Sequence, residues 1–402
     1  MRVLVILLSG QHVPNLLSVE AFKPDLVAYV ETDDMKRIEA WNNLRKALEI
    51  KDLSFEHKAF HLSNDNSLRA IMRLFGDIQD RYKDEELIVN VTGGTKLMAI
   101  GAFEVFRKTN ARIIYKPFRY VDEFIDLEND SSIETKGGLS VRQFLKGYGY
   151  DISETDEEIE ERHRKYSSFF EMASYLAENF RHSTISGCLS NLMRINDGSD
   201  SGKLNIDVSD GLRTNDPILK RFLIAYLGMD SLESDELHGT LDRNIVRFLT
   251  GEWLEIFIWG VLREYGHLVD VSEPMHSVTI LKKNEPGVVK NELDVAFLKD
   301  NNLCIMECKT GKQMMDRDAQ KTIYKFKAVI DQFKALSTSQ YLVTTSDNLL
   351  DGDGEVKNYI ASRLAEYDIK LVKDLDIQNL ANAVKKKDEI RIHPILREIL
   401  GN

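Results

Sequence analysis

The sequence is poor in cysteine and has no long apolar stretch. Its three cysteines, Cys188, Cys304 and Cys308, are too few for a disulfide framework, which favours a reducing cytoplasm. No segment approaches the unbroken apolar length, about 20 residues, that a membrane helix requires. The apolar run at residues 3–8 is too short for a signal peptide, and no small-residue cleavage site follows it. We therefore expect a cytoplasmic protein with no membrane partner.

Excess positive charge is also missing. The chain has 65 acidic and 53 basic residues, a net charge of −12. This balance argues against broad nonspecific coating of nucleic acid, although charge segregation still permits a local basic groove. The length of 402 residues and a hydrophobic fraction of 43% predict a globular chain with two or three domains.

The first third of the chain alternates between apolar strand patterns and amphipathic helix patterns. Helices are predicted over 33–50 and 66–82, and strands are predicted at 2–8, 26–30, 55–60, 87–91 and 111–115. Strands that alternate with crossover helices imply a parallel sheet covered on both faces. Residues 117–150 are expected to add strands and loops that close this domain.

Two polar turns follow predicted strands of this sheet, Ser9-Gly10-Gln11 and Thr92-Gly-Gly-Thr-Lys96. Ligands bind beyond the carboxyl ends of such strands. In the second turn the glycines allow close backbone approach, the helix start offers free N–H groups, and Lys96 adds positive charge. This combination suits phosphate, although the spacing is neither a P-loop nor a dinucleotide fingerprint. A purely structural strand-to-helix turn remains the alternative.

The stretch 291–309 is predicted to form a β-hairpin around a two-residue loop, Asp300-Asn301. This loop sets a register in which Asp294 lies opposite Glu307. Because side chains alternate along a strand, Lys309 shares their face. Cys304 and Cys308 have the other parity and are expected in the buried face, so we do not expect them to bind zinc.

The paired carboxylates suit Mg²⁺ or Mn²⁺, which prefer oxygen ligands. Asp294 and Glu307 would bind the metal together with the backbone carbonyl of Cys308. Lys309 would orient or deprotonate a metal-bound water, or stabilise transition-state charge. Glu252, on a helix predicted over 243–265, would reach the same or a second metal. A surface salt bridge is the alternative, and Glu255 on that helix lies either at a solvent edge or facing a site.

Glu252, Asp294 and Glu307-Cys308-Lys309 together resemble the PD-(D/E)xK restriction-endonuclease-like superfamily. Leu293 replaces the proline of the motif, a departure that removes no chemical group. The resemblance implies a metal-dependent endonuclease fold with a nucleic acid substrate, DNA, RNA or both.

A further pair lies on the next predicted helix, over 317–336. Gln320 and Tyr324 are four residues apart and share a helix face. They are similar to the glutamine–tyrosine motif of some exonuclease branches of the superfamily, which would make them catalytic. An ordinary surface pair is the alternative.

The N-terminal domain is similar to the CRISPR-associated Rossmann-fold (CARF) sensor domain. Its pairing with a nuclease resembles type III CRISPR effectors activated by cyclic oligoadenylate, here expected to be cyclic tetra-adenylate. The resemblance implies a homodimer around the two-fold-symmetric ring. The implied ligand contacts are Ser9, Gly10, Gln11, Thr92, Gly93, Gly94, Thr95 and Lys96. We group His12 with them, and its position and that of Lys96 leave open that the sensor degrades its own ligand.

We therefore predict an α/β chain of three parts: a Rossmann-like sensor at 1–145, a mostly helical connector at 146–234 and a restriction-endonuclease-like domain at 235–402. The leading hypothesis is a nuclease of antiviral type III CRISPR defence controlled by cyclic oligoadenylate. A constitutive repair or restriction endonuclease is one alternative. A non-enzymatic nucleotide-sensing regulator that binds DNA is the other.

Overall fold

The computed structural model describes residues 1–117, 123–135, 138–199, 203–209, 212–228, 234–284, 287–311, 316–331, 338–351, 353 and 355–401. The described residues contain two large β-sheets, one of seven strands and one of six. A largely helical segment lies between them in the sequence. No described helix combines the length and the apolar character needed to cross a membrane.

The first sheet has seven strands in the order β3-β2-β1-β4-β5-β6-β7. Its strands are β1 Arg2–Leu7, β2 Leu26–Glu31, β3 Glu56–His61, β4 Glu86–Asn90, β5 Arg112–Tyr115, β6 Glu123–Asp126 and β7 Ser131–Glu134. The first five are parallel and the last two are antiparallel. Alternate residues of β1, such as Leu4 and Val5, enter different hydrophobic cores, so both faces are covered. The predicted parallel sheet is confirmed.

Helices cover this sheet: α1 Val13–Phe22, α2 Asp33–Arg37, α3 Ala40–Glu49, α4 Leu68–Arg81, α5 Lys96–Phe106 and α6 Val141–Gly147. Two local predictions are wrong. The helix expected over 33–50 is broken before α3 because Glu39 adopts a left-handed conformation with φ of 54°. Residues 141–147 are helical because Ser140 and Gln143 form a capping box ahead of an apolar turn.

The middle of the chain is largely helical. It contains β8 Tyr150–Ile152, α7 Asp156–Ser167, α8 Phe170–Asn179, α9 Ser183–Asp197, β9 Asn205–Asp207, β10 Leu212–Arg213, α10 Pro217–Leu227, β11 Glu236–Leu237 and β12 Thr240–Asp242. Strand β9 pairs with β12, and β10 pairs with β11. Strand β8 instead joins the edge of the second large sheet, so it ties the connector to the last domain.

The second sheet has six strands in the order β17-β16-β15-β14-β13-β8. Its other strands are β13 Val271–Asn284, β14 Gly287–Lys299, β15 Asn302–Lys309, β16 Thr338–Thr344 and β17 Ile369–Val372. The helices of this domain are α11 Arg243–Arg247, α12 Trp253–Tyr265, α13 Asp316–Ile330, α14 Asn358–Glu366, α15 Asp374–Lys385 and α16 Glu389–Leu400.

The two faces of the second sheet belong to different cores. Cys304 and Cys308 are buried in the core that contains α12, as their strand parity predicted. Leu303 and Ile305 are buried in the other core with α13 and α14.

The sequence reasoning missed β13 and α16 and treated 243–265 as one regular helix. The structure instead has a π-helical turn, Phe248–Glu252, between α11 and α12. The part of the helix predicted beyond residue 331 lies outside the described residues.

Candidate functional sites

The hairpin of β14 and β15 fixes the geometry of the first candidate site. Asp300 and Asn301 both have φ of 55°, which matches the two-residue turn that suits a twisted hairpin. Pairing then runs from Lys299↔Asn302 to Val295↔Met306. The predicted turn and register are confirmed over these pairs.

Among the described residues, the pairing of β14 with β15 ends at Val295 and Met306. Beyond this pair, side-chain contacts connect the two strands. The Asp294 carboxylate accepts a hydrogen bond from the Cys308 N–H at 2.8 Å. Lys309 Nζ lies 3.3 Å from Asp294 Oδ2 and 2.8 Å from Glu307 Oε1. The structure therefore brings together the two carboxylates and the ammonium that the sequence placed on one strand face.

Burial makes this group electrostatically unusual. Burial and the nearby Glu307 charge raise the pKa of Asp294 to about 6. Burial alone would lower the pKa of Lys309, but Asp294 and Glu307 outweigh it and raise that pKa above its usual value. Two carboxylates with one ammonium between them leave the site with an excess of negative charge.

Two further glutamates lie on α12 and on the turn before it. Glu252 closes the π-helical turn, and its Oε1 is 2.8 Å from the Arg247 guanidinium. Glu255 lies deeper, and burial, then the Asp294 charge, raises its pKa well above the usual value. Its Oε2 is 3.3 Å from His276 Nε2. The structure thus resolves the open question about Glu255, whose carboxylate faces the site and is not at a solvent edge.

The signal for Glu255 was present in the sequence but was weak. Leu254, Ile256 and Phe257 around it are buried, so a carboxylate at this place needs a polar destination. Helix periodicity could not rank it above Glu252, because the π-helical turn changes the phase between α11 and α12.

Gln320 and Tyr324 lie on α13, and the structure does not bring them to this group through any contact among the described residues. Gln320 is exposed. The Tyr324 ring packs near Tyr367, with centroids 6.2 Å apart, and the Arg363 guanidinium lies 5.3 Å from its centroid. These contacts match the surface-pair alternative, and a catalytic role for the two residues remains a prediction.

The donor atoms around Asp294 fit a hard divalent cation. The carboxylates of Asp294 and Glu307 both contact Lys309. Glu255 and the Cys308 carbonyl would add further oxygen ligands. Burial and then neighbouring negative charges raise the pKa values of Asp294 and Glu255, and a bound cation would stabilise both carboxylates in their ionised form. Among the residues that the structure describes, no three or more His, Cys, Asp or Glu side chains are already arranged as a metal cluster.

The second candidate site lies where β1 and β4, neighbours in the first sheet, both end. Ser9 Oγ accepts the Gln11 N–H at 3.2 Å, which closes a tight turn after β1. In the adjacent turn, Asn90 Oδ1 accepts both the N–H and the hydroxyl of Thr92, at 3.0 and 2.6 Å. The Lys116 N–H donates to Thr92 Oγ1 at 2.8 Å. These hydrogen bonds hold the backbone of both turns in place.

The glycines of the Thr-Gly-Gly-Thr-Lys turn are needed for packing. A Cβ on Gly93 would lie 2.1 Å from the Leu7 carbonyl oxygen, and Gly94 has φ of 71°. Thr95 then caps α5 by accepting the Met98 N–H at 3.2 Å. Thr95 and Lys96 are exposed at the start of that helix. The turn therefore presents N–H groups and a lysine to solvent.

His12 is placed differently from the other predicted ligand contacts. Its ring is 3% exposed and packs edge-on against Tyr148, with centroids 5.0 Å apart. Burial lowers the pKa of His12 to about 4, so the ring is neutral near pH 7. The residue supports the turn from behind and does not present its ring at the surface.

The fold and the two sites define a class of protein, a Rossmann-type ligand sensor joined to a restriction-endonuclease-like nuclease domain. Residues 3–144 match the family model described as the Card1 CARF domain. Residues 242–389 match the model described as the Card1-like endonuclease domain. The chain is a CARF–nuclease fusion whose two domains belong to these Card1 families, and the resemblance inferred from the sequence is confirmed.

Solved structures share this architecture over nearly the whole chain. Can2 from Sulfobacillus thermosulfidooxidans, in complex with cyclic tetra-adenylate, is 20% identical with a TM-score of 0.69, and the match covers 100% of this chain and 97% of Can2. Protein VC1899 from Vibrio cholerae is 18% identical with a TM-score of 0.75, over 97% of this chain and 98% of VC1899. At these identities the likeness shows the fold. No curated protein matches the sequence.

Proposed function

We propose that this chain is a nuclease of type III CRISPR defence that cleaves DNA, RNA or both when its CARF domain binds a cyclic oligoadenylate. The observation that carries the proposal is the convergence of Asp294, Glu307 and Lys309 at the end of the nuclease hairpin. The CARF domain and the likeness to Can2, solved with cyclic tetra-adenylate, support a cyclic oligoadenylate as activator. We expect cyclic tetra-adenylate to be that activator and the enzyme to act in the cytoplasm.

The nuclease site is proposed to depend on Mn²⁺ or Mg²⁺. Asp294, Glu307 and the Cys308 carbonyl would bind the metal, with Glu252 as proposed from the sequence or Glu255 as the deeper carboxylate. When bound, such an ion polarises a phosphodiester and makes a water more acidic. Lys309 places its ammonium beside both carboxylates, where it stabilises charge that develops on the phosphate.

A cleft of about 980 Å³ provides a route for nucleic acid to this site. It lies between α9 and the ends of β15 and β16, and Thr310 and Gly311, just after Lys309, line it. Hydroxyl and amide side chains of α9 line the opposite wall, including Ser186, Ser190 and Asn191. Such groups hydrogen-bond to sugar and phosphate without reading sequence.

The sensor site is proposed to bind the ring through Ser9, Gly10, Gln11 and Thr92–Lys96. Free N–H groups at the start of α5 and the Lys96 ammonium suit phosphate oxygens. A two-fold-symmetric ring is best matched by two copies of this surface, so we propose a homodimer. The ligand then activates the enzyme only as far as it binds the active arrangement better than the resting one.

The decisive experiment measures cleavage of labelled single- and double-stranded DNA and RNA with Mn²⁺ or Mg²⁺, with and without cyclic tetra- and hexa-adenylate. We expect cleavage only with metal and one of the rings, and none with linear tetra-adenylate. Cleavage that ignores every ring would favour a constitutive repair or restriction enzyme. Metal-independent binding without cleavage under any condition would favour a sensing regulator. Light scattering of the same samples tests the homodimer.

A further inference from the structure

A buried histidine, His276, lies between the connector and the nuclease site, and the function proposed above gives it no role. Its side chain is 1% exposed. Its Nε2 is 3.3 Å from Glu255 Oε2, but neither ring nitrogen makes a well-directed hydrogen bond among the described residues. A buried polar ring of this kind requires a reason, because burying it without good partners costs free energy.

An irregularity in β13 brings His276 to this place. Pairing with β14 shifts by one residue between Ser272↔Leu298 and Met275↔Ala296, so the strand contains a bulge. After the bulge, His276 pairs with Val295, whose side chain lies in the core that contains α12. Without the extra residue, the register before the bulge would place His276 opposite Asp294 instead of Val295. The bulge is therefore what pairs His276 with Val295, whose side chain faces α12.

The backbone around His276 is held from two sides. Trp259 Nε1 on α12 donates to the Pro274 carbonyl at 3.0 Å. The His276 N–H donates to His163 Nε2 on α7 at 3.5 Å. The Tyr166 ring of the same helix lies edge-on to the imidazole, with centroids 4.8 Å apart. The first two contacts fix the backbone of this segment, and the Tyr166 ring packs against the imidazole itself.

Local backbone strain accompanies this placement. Glu273 and Ser277, on either side of His276, have φ of 45° and 52°, values that non-glycine residues rarely adopt. Such residues persist where the surrounding structure imposes them, and they concentrate at functional sites. The strain is consistent with a histidine fixed for a purpose and not one that merely fills the core.

The receiving carboxylate belongs to the nuclease site. Helix α12, which carries Glu255, packs against β14 and β15, the strands that carry Asp294 and Glu307. Burial and then the Asp294 charge raise the pKa of Glu255, in agreement with this packing. We propose that His276 is a positioning residue for the nuclease site, which holds the Glu255 carboxylate toward Asp294 through its Nε2 atom. The proposal rests on the nuclease function above and adds a residue from β13 to that site. Partners of this kind orient the groups that touch metal or substrate, and their loss typically costs 10- to 100-fold in activity or metal affinity.

The test uses two replacements of similar polarity and different reach. Glutamine extends far enough to place its amide nitrogen where Nε2 lies, whereas asparagine reaches only as far as Nδ1. We expect His276→Gln to keep cleavage within about 3-fold of wild type, and His276→Asn to lose about 10- to 100-fold in kcat. Both should show similar Tm values and similar affinity for cyclic tetra-adenylate. Exposed His267→Asn is the matched control and should leave the rate unchanged.

A second readout does not depend on turnover. Calorimetric titration with Mn²⁺ should show weaker binding in His276→Asn and near-normal binding in His276→Gln. Equal rates and equal Mn²⁺ affinity in all three proteins would overturn the proposal, as would losses that follow Tm alone. Wild type and Glu307→Gln are assayed in parallel. Absence of cleavage by wild type contradicts the proposed function itself, whereas wild-type cleavage with an unaffected His276→Asn contradicts only the role of His276.

Discussion

The sensor turn and the nuclease hairpin differ in how well their polar and charged groups are compensated. In the sensor turn, internal hydrogen bonds fix the backbone, with Asn90 holding Thr92 and Thr95 capping α5, while Lys96 is exposed. The nuclease hairpin crowds Asp294, Glu307 and Lys309 into a partly buried space and leaves negative charge in excess. A satisfied network gives a rigid, preformed surface. A crowded group with excess negative charge is poorly compensated until a cation binds. The first arrangement suits recognition and the second suits chemistry.

The largest expected effect concerns the charged side of this comparison. Glu307→Gln removes a carboxylate that contacts Lys309 and should lower activated cleavage at least about 100-fold, the scale typical for loss of a group that stabilises a transition state. Activator affinity should not change, because the sensor turn is untouched. Cleavage assays test the loss of activity, and calorimetry tests the unchanged activator affinity. Asp300→Asn in the hairpin turn is the control, and full cleavage by Glu307→Gln would contradict the assigned site.

Gly93→Ala tests the rigidity of the sensor turn. The added Cβ would lie 2.1 Å from the Leu7 carbonyl oxygen, so the turn must shift. We expect a loss of about 2 kcal/mol in the free energy of unfolding, typical of overpacking, together with loss of activator binding. Urea denaturation and calorimetry measure both. Gly76→Ala in α4 is a matched control with open space around the Cβ, and it should stabilise the protein by about 0.5–1 kcal/mol. Equal stability of the two variants would disprove the packing argument.

Lys96→Ala should have a smaller effect that is confined to binding. It removes an exposed ammonium at the start of α5 and should weaken activator affinity by about 10-fold at low salt, with less difference at high salt. The maximal cleavage rate at saturating activator should be retained. Exposed Lys83→Ala on the same domain controls for net charge. An unchanged affinity would remove Lys96 from the ligand site.

The smallest effect concerns stability and pH. The folded-state pKa of Asp294 is raised to about 6, so the folded protein binds a proton more tightly than the unfolded chain does. Such a carboxyl contributes stability below its unfolded pKa and loses it as pH rises through about 6. In metal-free buffer, Asp294→Asn should therefore be more stable than wild type at pH 7, by about 1 kcal/mol. The difference should vanish near pH 4, and denaturation at both values tests the sign.

Sequence reasoning predicted the hairpin well because its register depends on local chemistry. Asp300 and Asn301 tolerate positive φ, so they define the turn, and the alternation of side chains then places Asp294, Glu307 and Lys309 together. The first sheet could also be predicted, because its central strands β1, β2 and β4 are largely continuous apolar runs. In both cases the local sequence is enough to determine the local structure.

The features that could not be predicted depend on long-range contacts, which a local sequence pattern does not reveal. Strand β13 was missed because Pro274 and a bulge interrupt its alternation, and the same bulge decides which face His276 occupies. The π-helical turn at Phe248–Glu252 hid the difference between Glu252 and Glu255. Tyr324 matched a motif by spacing, yet its described contacts are with Tyr367 and Arg363. In each case the long-range packing decides the position of the side chain.

We propose that ligand binding at the rigid sensor turn controls the charged nuclease site. The most direct test titrates cyclic tetra-adenylate against the rate of nucleic acid cleavage in Mn²⁺, for wild type, Lys96→Ala and Glu307→Gln. We expect a saturable rise in rate for wild type, the same maximum at higher ligand concentration for Lys96→Ala, and a maximum at least about 100-fold lower for Glu307→Gln. A wild-type rate that is independent of the ligand would contradict it.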